Sequence, residues 1–335
     1  MSARRLRRFA TAVVLSAAAI GAPRISAAQA QVLVVTGLGG ERRFTERFRS
    51  LGASLAAVMH TRYGIPDADI AWVGEDSSGA DPRYRGLASR EALDKLVAAF
   101  QARAVVGGQL VIIFIGHGAG ADAESRLSIP GPDVTVADVQ RWLAGFPRQR
   151  TAFVALASGS GDMLPILAAP GRVVITATKT SFERNESRFG EWFVRALTAD
   201  VADTDKDGRV SLLEAFRYAQ RETKRVYDDA SKLQTEHAQL DDDGSKQNTA
   251  DPPARGGQGT LARRYFLDAT PVTVAGGDAA VAALYRERFE LEAQVDSVRA
   301  RKVRMPADAY LADLERALVA LARKAREIRA VEGRP

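Results

Sequence analysis

The chain has 335 residues, 46% hydrophobic and 26% charged, the composition of ordinary globular material long enough to bury a sizeable core. Its net charge of +6 invites a nucleic-acid reading, but five arginines (Arg4, Arg5, Arg7, Arg8, Arg24) and no acid lie in Met1–Ala30. The remainder therefore carries only about +1, with no basic, aromatic-interleaved stripe to track phosphates. Cysteine is absent, which excludes both disulfides and a catalytic thiolate.

The basic start, the apolar stretch from Phe9 to Ala22 and the A-x-A sequence Ala28-Gln29-Ala30 form the three-part pattern of a secretory signal peptide over residues 1–30, cut before Gln31. That stretch is too short for a hydrocarbon core of about 30 Å, and no later segment reaches the length of a membrane span. The mature chain is expected to be periplasmic or extracellular, with neither a membrane span nor a nucleic-acid partner.

Gln31–Thr36 reads as a buried strand ending in the turn Gly37–Gly40, and Phe44–Tyr63 as an amphipathic helix. Asp69–Val73 is a second strand and Glu75–Ser89 a polar loop. Ser89 caps a helix over Arg90–Ala104. Leu110–Ile115 is the most apolar strand, with His117 just beyond its carboxyl end. Arg150–Leu156 and Arg172–Thr178 are two more strands, separated by a short helix near Met163–Leu167. Helices over Arg188–Thr198 and Leu212–Asp229 follow, then a mobile loop over Leu240–Gly259 and a last strand over Arg263–Leu267. Asp241-Asp242-Asp243-Gly244 reads as a solvated turn. Strands alternating with helices imply an α/β fold with a mostly parallel sheet covered on both faces, its ligands bound outside the strand carboxyl ends. The sheet domain spans 31–270. Residues 278–332 form a separate antiparallel helical hairpin: Leu284, Leu291, Val295 and Val298 mark one arm, Met305-Pro306 the turn, and Leu311, Leu314, Leu318, Leu321, Ala325 and Ile328 the other. It braces the sheet domain or serves as a surface for a partner or for self-association.

Two sites carry chemistry. Gly116-His117-Gly118 ends one strand, and Thr151–Leu156 runs into the small-residue turn Ala157-Ser158-Gly159-Ser160-Gly161, which exposes a hydroxyl. A hydroxyl and a histidine at neighbouring strand ends is the arrangement covalent acyl transfer needs. The second site is Asp203-x-Asp205-x-Asp207-Gly208-x-x-Ser211-x-x-Glu214, which fits the twelve-residue EF-hand loop over 203–214. Oxygens come from Asp203, Asp205, Asp207, the Arg209 carbonyl, Ser211 and a bidentate Glu214, with Gly208 for the sharp turn, and the cation expected is Ca2+. A lone loop of this kind reads as a structural clamp rather than a sensor.

Over Gln31–Leu240 the chain resembles the legumain family of cysteine peptidases. Ile113–Gly118 resembles a strand ending D-H-G, with Gly116 replacing the acid. Leu156–Met163 (LASGSGDM) resembles E-A-C-E-S-G-S-M, which puts Ser158 at the cysteine. Gly64-Ile65-Pro66-Asp67 resembles a G-I-P-D turn, and Arg188–Val194 an aromatic-G-D-W-Y segment. The resemblance implies a caspase-like fold and a peptidase cleft, with His117 and Ser158 as the positions of a His/Cys dyad. Two departures stand out. Gly39 replaces an asparagine of a G-S-N-G turn, a candidate for orienting the histidine. Serine replaces the nucleophilic cysteine, and an alcohol needs a closely held, oriented base, for which Asp122 or Glu124 are the acids near His117 in sequence. The expectation is a degenerate peptidase homologue that binds a peptide or protein partner in the cleft. The alternatives are a hydrolase using Ser158 with His117, and a scaffold acting through the helical hairpin.

Overall fold

The computed structural model describes residues 30–205, 208–253, 257–267 and 305–331, with scattered positions between 284 and 302. The expected signal peptide, apart from its last residue, and Asp207 lie outside the described residues.

The apolar, β-branched runs form the middle of one mixed sheet in the order β3-β2-β1-β4-β7-β8-β9. Its strands are β1 (Ala30–Thr36), β2 (Ile70–Gly74), β3 (Tyr84–Leu87), β4 (Gln109–Ala119), β7 (Arg150–Ser158), β8 (Arg172–Thr176) and β9 (Gln239–Asp241). All pair in parallel except β9, which runs antiparallel to β8. A small antiparallel flap, β5 (Arg126–Leu127) with β6 (Val134–Thr135), hangs on the end of β4. The fold is of the α/β class, as the alternation of strands and helices implies.

Period-two alternation assigns the two cores. On one face Val111, Ile113 and Ile115 of β4 and Ala152, Val154 and Leu156 of β7 pack under α1 (Arg42–Thr61), α5 (Phe189–Thr198) and α6 (Leu212–Asp229). On the other, Leu110, Ile112, Phe114, Phe153 and Ala155 pack under α2 (Arg90–Arg103), α3 (Val136–Ala144) and α4 (Leu164–Leu167). The chain leaves β1 toward β2 and β3, then returns to the other side as β4. The crevice between the carboxyl ends of β1 and β4 is the topological switch point, where sheets of this kind bind ligands.

Ser89 caps α2 by accepting the Ala92 N–H. α3 was not legible as a helix in the sequence; it starts with a reciprocal capping box between Thr135 and Asp138. The loop expected over 75–89 holds β3, an edge strand of only four residues with alternating exposure. Arg263–Leu267 is not a strand: Ala262–Arg264 is a single 3-10 turn, and Phe266 makes one isolated bridge to Ser211. That segment sends the fully buried Tyr265 under the sheet, where its hydroxyl donates to the carbonyls of Leu110 (3.0 Å) and Arg150 (3.1 Å).

Asp241 and Asp242 are 0% and 3% exposed, so the acidic run is not a solvated turn. Asp242 accepts from the backbone N–H groups of Gly259 (2.7 Å) and Ala262 (2.8 Å), and Asp241 from Gly244 N–H (2.9 Å). Burial raises the Asp242 pKa above the ordinary carboxylate value, and these backbone donors pull it back. The loop after β9 is thereby tied to the body rather than hanging free. The C-terminal helix is α7 (Ala307–Val331), whose Lys324 reaches Glu287 at 2.5 Å; most of the expected first arm of the hairpin lies outside the described residues. No helix among the described residues is long and apolar enough to cross a membrane.

Candidate functional site

β4 and β7 run in register for nine consecutive pairs, from Gln109–Arg150 to His117–Ser158. The sheet ladder therefore sets His117 and Ser158 side by side, on the face under α1, at the ends of their strands. The His117 Nδ1 and the Ser158 Oγ are 3.3 Å apart. Phe44 and Phe48 of α1 present their rings to the imidazole edge-on, at centroid distances of 5.1 and 5.2 Å.

That setting fixes the electrostatics of the ring. Burial pushes the His117 pKa below the ordinary imidazole value. A hydrogen bond to the Gly39 backbone and the charges of Glu186 and Glu41 act in the opposite direction. The ring is thus neutral at neutral pH and has a lone pair to offer a hydroxyl. The carboxylates that weigh on it come from α1's start and the segment before α5, not from Asp122 or Glu124. Glu186 is itself engaged by Arg47 of α1, which also binds Glu191 at 2.6 Å. Among the described residues no carboxylate accepts a hydrogen bond from the His117 imidazole.

Ser158 is 3% exposed. The turn after it is held from several sides. Thr178 Oγ1 accepts from the N–H groups of Ser160 (2.8 Å) and Gly161 (3.0 Å), and the Ser160 hydroxyl donates to Ala157 O at 2.8 Å. Ser160 is therefore spent on structure. Gly159 has φ +62° and donates its N–H to the Glu183 carbonyl at 2.9 Å. At Gly161 a Cβ would lie 2.2 Å from the Lys179 carbonyl carbon, so only glycine fits. The segment 179–188 thus forms the wall beside Ser158. His237 holds it from behind through Glu183 at 2.6 Å, as does the buried Glu236, which accepts from Ser187 Oγ (2.7 Å), Arg188 N–H (2.7 Å) and Phe189 N–H (3.1 Å).

The acidic loop lies elsewhere, between α5 and α6. Carboxylate oxygens of Asp203, Asp205 and Glu214 lie within 4.8 Å of one another. Gly208 has φ +81°, the left-handed turn the loop needs at its sixth position, and donates its N–H to Asp203 at 3.0 Å. Glu214 faces inward: Oε1 accepts from the N–H and hydroxyl of Thr204 (2.8 and 2.9 Å), and Oε2 from the N–H and hydroxyl of Ser211 (3.0 and 2.8 Å). Ser211 and Glu214 also form the capping box of α6. Three carboxylates this close, beside a left-handed turn, are a hard-oxygen set of the kind that suits a divalent cation, although both Glu214 oxygens already accept protein donors. Arg288 reaches Asp205 at 3.1 Å, and the Arg209 guanidinium stacks 3.7 Å over the Phe266 ring. Beside the loop, Leu212 N–H donates to Tyr265 O at 3.0 Å.

No family model matches the sequence, and no curated protein matches it. Solved structures do. Caspase-1 from Spodoptera frugiperda is similar with a TM-score of 0.43 and 10% identity, over 65% of this chain and 87% of that one. The structure of drICE is similar with a TM-score of 0.36 and 9% identity, over 64% and 87% respectively. Likeness of this order concerns the course of the chain; chemistry has to be argued from the site itself.

Sequence reasoning singled out His117 and Ser158, which the ladder brings together, and Asp203, Asp205 and Glu214, which the loop brings together. Arg209 and Ser211 lie in the same loop. It missed Glu75, Glu183 and Glu236. Glu236 sits in a polar stretch with no periodic pattern, and the groups it ties down at Ser187, Arg188 and Phe189 are forty-seven to forty-nine residues away, so no local signal marked it.

Proposed function

We propose that this chain is a peptidase-like protein that holds an extended peptide across the carboxyl ends of β1, β4 and β7 and turns it over negligibly. The observation that carries this reading is the pairing of His117 with Ser158 at 3.3 Å, without a carboxylate on the imidazole and with the hydroxyl almost shut from solvent. An alcohol is a poor nucleophile unless its base is oriented and its proton transfer stabilised, and serine enzymes use a carboxylate for both. A cleft built for a thiolate and fitted with an alcohol retains binding and loses most of its turnover. Phe182, 80% exposed on the wall beside Ser158, gives a peptide an apolar contact. The acidic loop, on this reading, is a calcium clamp that stiffens the α5–α6 junction in a calcium-rich compartment outside the cytoplasm.

A second reading, an active serine hydrolase, is favoured by the lowered His117 pKa, which leaves the imidazole able to accept the Ser158 proton. One experiment separates the two. Purified residues 31–335 are assayed for amidase activity on fluorogenic peptide libraries as wild type, Ser158→Ala, His117→Ala and Ser158→Cys. The binding reading expects no turnover above the Ser158→Ala background in wild type, and turnover appearing in Ser158→Cys. Wild-type turnover that vanishes in both alanine variants establishes the hydrolase instead. Inactivity of Ser158→Cys together with no peptide retained by wild type sinks both.

A further inference from the structure

The turn Gly37–Gly40 lacks the asparagine that the resemblance would put at residue 39, yet its Gly39 backbone still acts on the His117 ring, favouring the charged imidazole. Three contacts fix that turn. Gly37 N–H donates to Ile115 O (2.8 Å), Leu38 N–H to Ser128 O (3.0 Å) and Gly39 N–H to Glu75 Oε2 (3.3 Å). Ser128 N–H in turn donates to His117 O at 2.9 Å, so the residue after β5 links the turn to the histidine's own backbone. Of these contacts only the one from Glu75 is made by a side chain.

The same Glu75 oxygen accepts the Thr45 hydroxyl at 2.8 Å. Thr45 belongs to the first turn of α1, where a carboxylate is favoured by the helix dipole. That turn carries Phe44, and the next carries Phe48, the two rings packed against the imidazole. Gly39 admits no substitute here, since a Cβ would lie 2.3 Å from Thr45 N and 2.4 Å from its hydroxyl. One carboxylate, placed at the end of β2 next to the switch point, therefore anchors both the backbone that orients His117 and the helix that walls it.

We infer that Glu75 is a positioning residue for the His117–Ser158 pair, acting through Gly39 and the first turn of α1. This rests on the reading that the pair is the working site, but it is measurable without any turnover. Glu75 touches neither reacting atom. Its role is to keep the imidazole under Phe44 and Phe48, with Nδ1 toward Ser158. The acids that also face the ring are Glu186 and Glu41.

The chain has three histidines, His60, His117 and His237, so histidine-labelled NMR titration of the wild type and of Glu75→Ala, Glu75→Gln and Thr45→Val resolves each ring. In Glu75→Ala the His117 midpoint should rise by about half a pH unit or more, because loss of the buried seat, the largest influence on the ring, outweighs the smaller downward pull from losing the Gly39 contact. Glu75→Gln, which keeps one acceptor oxygen for Gly39, should fall between the two. The midpoints of His60 and His237 should stay where they are. In the Ser158→Cys background, the pH midpoint for alkylation by iodoacetamide should move with His117. An unmoved His117 in folded Glu75→Ala overturns the inference, and so does a shift shared by all three rings, the mark of general loosening. Should Glu75→Ala fail to fold, an unmoved His117 in both Glu75→Gln and Thr45→Val overturns it equally. Failure of peptide binding with a displaced His117 midpoint would sink the proposed function and leave this role standing.

Discussion

Replacing Glu214 by glutamine separates the ion from the helix cap. The carboxylate supplies two ligating oxygens in an EF-hand geometry, and glutamine supplies one neutral oxygen. Glutamine is nevertheless a capping-box residue, so the Ser211 contacts at the start of α6 survive in large part. The contacts to Thr204 are the ones lost, since the amide nitrogen faces two donors there. In chelator the variant should therefore lie only about 1 kcal/mol below wild type. Calcium that binds the folded state alone adds about 2.7 kcal/mol at a hundredfold excess over Kd. For a domain of this size that is roughly 5–10 °C in Tm, at about 2–4 °C per kcal/mol. Melting followed by circular dichroism, in calcium and in chelator, should show that increment in wild type and little of it in Glu214→Gln. If calcium leaves the wild-type Tm unchanged, or raises both proteins alike, the loop is an acidic turn and the clamp does not exist.

Asp138 → Asn and Tyr265 → Phe probe the frame around the site. Burial alone would raise the Asp138 pKa, but Thr135, Arg90 and Arg141 donate to its carboxylate and bring it to about 2. A folded-state value below the unfolded one stabilises the protein above about pH 4, and this contribution, about 2 kcal/mol, is lost as pH falls through 2. The urea-unfolding gap between wild type and Asp138→Asn should therefore be widest at neutral pH and narrow between pH 4 and 2; a constant gap refutes the argument. Tyr265→Phe leaves the carbonyls of Leu110 and Arg150 without their shared donor and should cost about 1–3 kcal/mol, read by the same unfolding, while leaving the His117 titration in place.

What the sequence made legible is what periodicity and spacing encode. The runs around Val32, Ile112 and Val154 announce buried parallel strands, and glycine and small residues just past two of them announce His117 and Ser158. The acidic loop is legible because its ligands come from one short segment. Partners distant in sequence leave no such trace. Asp242 reads as solvated because its neighbours are acidic, yet the backbone of residues 259–262 returns to satisfy it. Glu75 reads as the start of a polar loop because its role depends on Gly39 and Thr45, thirty and more residues earlier. α3 was missed although Val136, Val139, Trp142 and Leu143 repeat at helical spacing.

The nine-pair ladder between β4 and β7 has a chemical corollary. Where residue 117 meets residue 158 is decided by backbone pairing that begins eight residues upstream, so the identity of either side chain is free to change without moving its neighbour. A slip of one residue by either strand would turn that strand's side chain to the opposite face, and the buried runs on either side forbid it. Position 158 is consequently an interchangeable socket. Cysteine, serine or alanine there would be presented to the same imidazole on the same bench, and reactivity would be chosen by one codon rather than by the fold.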